Sequence, residues 1–238
     1  SNLFNWKLIY VVSAVLMLIL AFLLKAKLPH IPVFKMSYAN IFKSMAVLLK
    51  EEPRLGLRAL VGGFAFAAMS ILFSTIAVLL TSSPFNLSDV LVGVVTLIGV
   101  FGALATAKIG KIADQGHTQS LTWIGLFVLA ISWLFFYWGG QYLFSYIIGY
   151  GVISLGLTIV HTSNQNIIFR LRPDSKSRIN AIYMTAYFIG GACGSALGVY
   201  SWHHGGWSMT CLAGLCLVTC SALCALPYQR HHAKAHPI

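Results

Sequence analysis

Acidic charge is what this chain of 238 residues most conspicuously lacks, with five Asp and Glu against sixteen Lys and Arg. All charged residues together make up 9%, whereas hydrophobic residues make up 58%; a soluble globular chain carries roughly 25% charged residues. So few charges cannot cover a water-facing surface of this size, which excludes a soluble domain and leaves lipid as the surrounding medium. The five acids, Glu51, Glu52, Asp89, Asp114 and Asp174, all lie outside the long apolar runs, so the intramembrane carboxylate that usually carries coupled protons is missing from this segment. Paired carboxylates, H-E-x-x-H and G-x-S-x-G are absent from every run, which leaves no ground for an intramembrane enzyme. The final run holds no lysine for a retinal-type Schiff base. Strand-like alternation is missing too, against an outer-membrane barrel. No cofactor and no metal site are implied. Cys216, Cys220 and Cys224 share a helical face but read as small apolar side chains.

Long charge-poor runs are what the chain does have. A bilayer core of about 30 Å needs about 20 helical residues, and seven stretches meet that length: Leu8–Leu24, Leu57–Leu80, Val90–Ala107, Leu121–Trp138, Tyr142–Val160, Ala181–Trp202 and Trp207–Leu226. Ser82-Ser83-Pro84, Gly139-Gly140 and Gly205-Gly206 punctuate three of the joins, so the helices on either side are antiparallel neighbours. The first run lacks a basic stretch or cleavage site ahead of it and reads as a span, not as a signal peptide. The opening serine in place of methionine suggests sequence upstream. Of the sixteen Lys and Arg, all but Lys7 fall in alternate connections or the tail. The excess of cations on one side places that side in the cytoplasm, with the N-terminus outside and the C-terminus inside. The net charge of +11 is therefore a sign of membrane topology and not of nucleic-acid binding.

The expected organisation is a leading transmembrane helix over 1–28, a basic cytoplasmic linker over 29–54, a six-helix block over 55–228 and a basic cytoplasmic tail over 229–238. Within the linker, Tyr38, Ile41, Phe42, Met45, Leu48 and Leu49 recur at helical spacing between lysines, which predicts an amphipathic helix on the inner membrane surface.

One span, a long basic linker and then six spans resemble the major facilitator superfamily from its sixth helix to its twelfth. Phe4-Asn5-Trp6-Lys7 resembles the Trp-rich lead-in to the sixth helix. Gly110-Lys111-Ile112-Ala113-Asp114-Gln115-Gly116-His117 resembles the Gly-x-x-x-Asp cytoplasmic loop, with Gln115 and His117 where basic residues are expected. Residues 178–191, Arg-Ile-Asn-Ala-Ile-Tyr-Met-Thr-Ala-Tyr-Phe-Ile-Gly-Gly, resemble the penultimate helix of bacterial drug-efflux members. The resemblance implies an all-α, polytopic fold of seven transmembrane helices in a bacterial inner membrane. Its function would be that of the C-terminal half of a secondary transporter, exporting small organic compounds by alternating access. Such a half implies three partners: the bilayer, a small-molecule substrate and an absent N-terminal six-helix half. A non-transporting subunit, or one piece of a split transporter docking through a glycine-rich face, is the alternative.

Candidate site residues follow from spacing. Tyr142, Tyr146, Tyr150, Ser154, Thr158 and His161 succeed one another every three or four residues and form a stripe suited to an amphipathic ligand. An interfacial aromatic belt is the other reading of the tyrosines. Ser70 and Ser74 either join the same cavity or bond to their own helix. Gly110, Asp114 and Gly116 form the loop motif, which the resemblance brings against the other half. Gly190, Gly194 and Gly198 form a small-residue ridge that packs closely on another helix, in this bundle or in the absent half.

Overall fold

A computed structural model describes residues 6–27 and 37–235. Among these residues only helices, turns and bends occur. The chain divides into two compact units, Ser1–Ile41 and Phe42–Ile238. The first contains helix α1 (Trp6–Lys27), whose 22 residues stay free of charge from Leu8 to Leu24 and close on Lys25 and Lys27. At about 1.5 Å per residue it is some 33 Å long, enough to cross a bilayer.

Helix α2 (Tyr38–Glu51) leads into the second unit. Its apolar residues divide between two surroundings: Leu48 is buried beside Leu55 and Ile179, whereas Tyr38 and Phe42 stay exposed. Helix α3 (Pro53–Thr81) starts directly afterwards, with Pro53 in its first turn, where a missing N–H costs nothing. Next come α4 (Asp89–Thr96), a 3-10 turn (Leu97–Gly99), α5 (Val100–Ile112), a π-turn (Ala113–His117) and α6 (Thr118–Gly139). Two long helices complete the chain, α7 (Leu143–Leu171) and α8 (Lys176–Ala235).

Among the described residues, five helical stretches are long and apolar enough to span a membrane: Tyr10–Lys27, Pro53–Thr81, Asp89–Gly139, Leu143–Leu171 and Pro173–Pro227. Two of them, of 51 and 55 residues, are far too long for one crossing, and each reverses at a glycine with positive φ. Gly116 has φ 96° and Gly206 has φ 61°, conformations that a side chain would strain. Contacts on either side establish both reversals. Along α5 and the π-turn, Gly102 lies against Ser154 and Asp114 against Asn166, so α5 runs parallel to α7. Along α6, Thr122 meets Ser163, Gly125 meets Val160, Gly156 meets Leu129 and Gly139 meets Tyr146, so α6 runs antiparallel to it. In α8 the limb before Gly206 climbs along α3, with Gly190 at Gly63, Gly194 at Ala67 and Gly198 at Ile71. The limb beyond it returns far enough for Ser221 Oγ to donate to the Val61 carbonyl at 2.8 Å. The result is an all-α polytopic membrane protein with seven span-length limbs.

The core of the second unit joins Val61, Ala65, Ile71 and Leu72 of α3, Leu129, Trp133 and Phe136 of α6, Tyr146 and Ile153 of α7, and Cys211 and Val218 of α8. In a bilayer, close contact between small residues supplies the packing that the hydrophobic effect supplies in water. The α3–α8 contact works this way: a methyl group on Gly190 would stand 2.2 Å from the Gly63 carbonyl oxygen, and one on Gly194 2.2 Å from that of Ala67.

Candidate functional site

A cavity of about 400 Å³ lies beside the middle of α7. Tyr150, Ser154, Leu157, Thr158, His161 and Thr162 of α7 form one wall; Met69 and Phe73 of α3, Gly99 and Thr106 from the α4–α5 limb, and Tyr187 of α8 form the rest. The volume is in the range of small-molecule sites, and so is the mixture of an apolar lining with a few polar groups.

Helix geometry accounts for only part of the tyrosine stripe. At 100° per residue, Tyr150 and His161 lie only about 20° apart around the helix axis. Tyr146 stands a similar angle from the lining residue Leu157 but about three turns before it. There it packs into a fully buried aromatic cluster, with its ring centroid 5.2 Å from that of Phe136 and 5.9 Å from that of Trp207. Tyr142 sits exposed just ahead of α7. Ser70 and Ser74 also face elsewhere, toward α8: a methyl group on Gly191 would stand 3.2 Å from Ser70 Oγ, and Ser74, beside Gly198, donates to the Ile71 carbonyl at 2.9 Å.

The polar groups at the cavity differ in what they offer. Ser154 Oγ donates to the Tyr150 carbonyl at 2.8 Å and Thr158 Oγ1 to the Ser154 carbonyl at 2.9 Å, so both hydroxyls direct their hydrogens to their own helix. The phenols of Tyr150 and Tyr187 have no acceptor among the described residues. His161 Nδ1 lies 3.2 Å from the Tyr183 hydroxyl, and its ring centroid is 4.9 Å from that of Tyr187. Tyr183 is fully buried, and Gly62 of α3 makes room for it: a methyl group there would stand 2.5 Å from the phenol oxygen.

Directly beyond Tyr183 is a feature that the pattern of runs did not reveal. Arg58, in the second turn of α3, is 1% exposed. Its Nη1 donates to Thr122 Oγ1 and to Asn164 Oδ1, both at 3.1 Å, and its Nη2 donates to Gln119 Oε1. Thr122 is in turn 3.0 Å from Ser163 Oγ. One guanidinium thus ties α3 to α6 and α7 through neutral oxygens. Read from sequence, Arg58 is one more cation at the end of a span. Its burial becomes visible only when Gln119, Thr122 and Asn164 are seen to converge from two other helices.

The loop motif lies at the same end. Asp114 is exposed and accepts from Asn166 Nδ2 at 2.6 Å, with Arg170 Nη2 at 3.8 Å, so its contacts come from α7 of this bundle. Gly116 takes the positive φ of the reversal, whereas Gly110 has ordinary helical backbone and open space around it. Arg172 closes the end of α7 onto Glu51 and Glu52, each at 3.2 Å.

Residues 1–195 match the Major Facilitator Superfamily, and the chain belongs to that family of transporters. Among its relatives, the uncharacterized transporter YgaY of Escherichia coli O157:H7 is 38% identical over 215 residues, which is 90% of this chain and 55% of that protein. The corresponding protein of strain K12 matches to the same extent. A Streptomyces coelicolor protein named as a transporter, SCO4007, is 24% identical over 221 residues, 90% of this chain and 50% of its own length. The chain therefore spans about half the length of the curated relatives it matches.

Proposed function

We propose that this chain forms the C-terminal half of a secondary active transporter that exports small organic compounds across a bacterial inner membrane by alternating access. The observation that carries this reading is the cavity at mid-length of α7, where four limbs of the bundle, α3, α4–α5, α7 and α8, leave a mostly apolar space of ligand size with a few polar groups. Transporters of repeated architecture hold their substrates near the bilayer midplane between two bundles, and a half-length chain supplies one wall of such a site. The Arg58 end gathers Arg170, Arg172 and Arg178 as well, and by the bias of cations it faces the cytoplasm. The N-terminus is then outside and the second bundle is the partner. The alternative, a non-transporting subunit docking through its glycine ridge, has less support because α3 already occupies the faces of Gly190 and Gly194.

The test is transport by the natural full-length protein. Tyr150→Ala and Thr158→Ala should change export at least several-fold, measured as compound accumulation in cells at equal membrane expression. Exposed Phe144→Ala should not. Equal transport by all three variants would overturn the assignment of this cavity to the substrate path.

A further inference from the structure

The cavity also has a sign. All five acids of the chain lie at helix ends or in turns, and none lines the cavity. An organic cation entering from water would lose its hydration with no counter-charge from this wall, a loss that weighs heavily in low-dielectric surroundings. The groups that can donate into the space are the Tyr150 and Tyr187 phenols, the Thr162 hydroxyl and His161. Phenols and imidazole N–H groups suit an oxyanion, because hydrogen bonds to a charged acceptor are shorter and roughly twice as strong as neutral ones.

The groups behind His161 point the same way. Arg58 donates to Asn164 Oδ1. The Asn164 amide nitrogen is buried without an acceptor among the described residues. Tyr183 Oη lies 3.2 Å from His161 Nδ1; with the phenol assigned as the donor of this pair, the ring's own hydrogen rests on Nε2, which makes His161 a donor. The His161 ring is thus held by a fully buried phenol, and a hydrogen bond of this kind in low-dielectric surroundings fixes its orientation. Met69, Phe73 and Leu157 offer an apolar surface for the remainder of a ligand.

We propose that this cavity selects small amphipathic organic anions over neutral and cationic compounds of the same shape, with His161 as the specificity-determining residue and Tyr183 as the group that positions it. This deepens the transporter reading above and rests on it.

A shape-matched series of 2-naphthoate, 2-naphthamide and 2-naphthylmethylammonium tests the proposal by equilibrium binding to the natural full-length protein purified from membranes. The carboxylate should bind roughly tenfold more tightly than either of the others, the scale of one charge-assisted hydrogen bond. His161→Gln should reduce that ratio to near one, and Tyr183→Phe should reduce it in part. The ratio is the decisive readout, since a loosened fold weakens all three ligands together. Equal or tighter binding of the amide or the ammonium compound would overturn the anion preference and leave the cavity as a binding site. An undiminished preference in His161→Gln would overturn the role of His161. No binding of any of the three to a protein with intact helical circular dichroism would overturn the binding-site reading itself, and the inference with it.

Discussion

The two ends of the α6–α7 pair are held together in opposite ways. At one end Arg58 reaches Gln119, Thr122 and Asn164, and the contact is made of hydrogen bonds between polar side chains. At the other end Trp133, Phe136, Tyr146 and Trp207 pack ring against ring, with centroids 5.2–6.3 Å apart, and the Trp207 indole donates to the Phe136 carbonyl at 2.6 Å. Water can replace a lost partner in the first arrangement, because the groups are polar and stand near a membrane surface. It cannot replace an aromatic ring. The aromatic end is thus the rigid one, and the polar end is the one where contacts can be exchanged.

The largest effect is expected where nothing can substitute. Trp133 is 2% exposed, and a methyl group on Gly214 would stand 2.1 Å from its ring, so α8 is shaped around it. Trp133→Ala should destabilise the bundle by about 3 kcal/mol, the low end for a buried aromatic, since lipid and not water is the alternative surrounding. Unfolding in detergent followed by circular dichroism measures it. A cost below that of Arg58→Leu would reverse the ranking of the two ends.

Arg58→Leu comes next. It leaves Gln119 Oε1 and Asn164 Oδ1 without their donor, and each unsatisfied acceptor costs about 1–3 kcal/mol when dry. Entry of water from the membrane surface relieves part of this, so a loss of about 2 kcal/mol is expected. Arg58→Lys should recover only a fraction, because an ammonium cannot place two donors in a fork across three helices. Equal stability of the wild type and Arg58→Leu in the same unfolding assay would remove the polar hub as a structural element.

The same contrast separates what sequence makes legible from what it hides. The seven runs, the turns at Gly139-Gly140 and Gly205-Gly206, and the family resemblance depend on local composition and spacing, and all of them are visible in one dimension. So is the part of the stripe from Tyr150 to His161, because those residues stay within a narrow arc. Tyr146 departs because Phe136 and Trp207 pack against it a turn before the cavity, a tertiary contact that spacing does not specify. Ser70 and Ser74 turn to α8 because α8 packs on that face of α3, a fact of tertiary arrangement. Tyr187, Phe73 and Thr106 reach the cavity from helices whose order around it no spacing rule specifies. Arg58 is hidden for a different reason: a cation at the start of a span is usually a marker of topology, and only its three partners distinguish a buried one.

The smallest effect belongs to Asp114, and it sharpens the comparison from the surface side. Its side chain is 71% exposed and that of Arg170 is 56% exposed, with 3.8 Å between the charged groups. Solvent-screened pairs of this kind contribute about 0–1 kcal/mol, so Asp114→Asn, which keeps a carbonyl acceptor for the Asn166 amide, should cost about 0.5 kcal/mol in low salt and less in high salt. The relevant measurement is the same unfolding titration at two ionic strengths. A loss well above 1 kcal/mol that persists in high salt would require a partner for Asp114 beyond Asn166 and Arg170, in a drier place than this bundle provides. Making the corresponding substitution in a full-length relative would then locate that partner. A large effect confined to the longer protein would assign the contact to residues outside this chain, as the loop motif's resemblance implies.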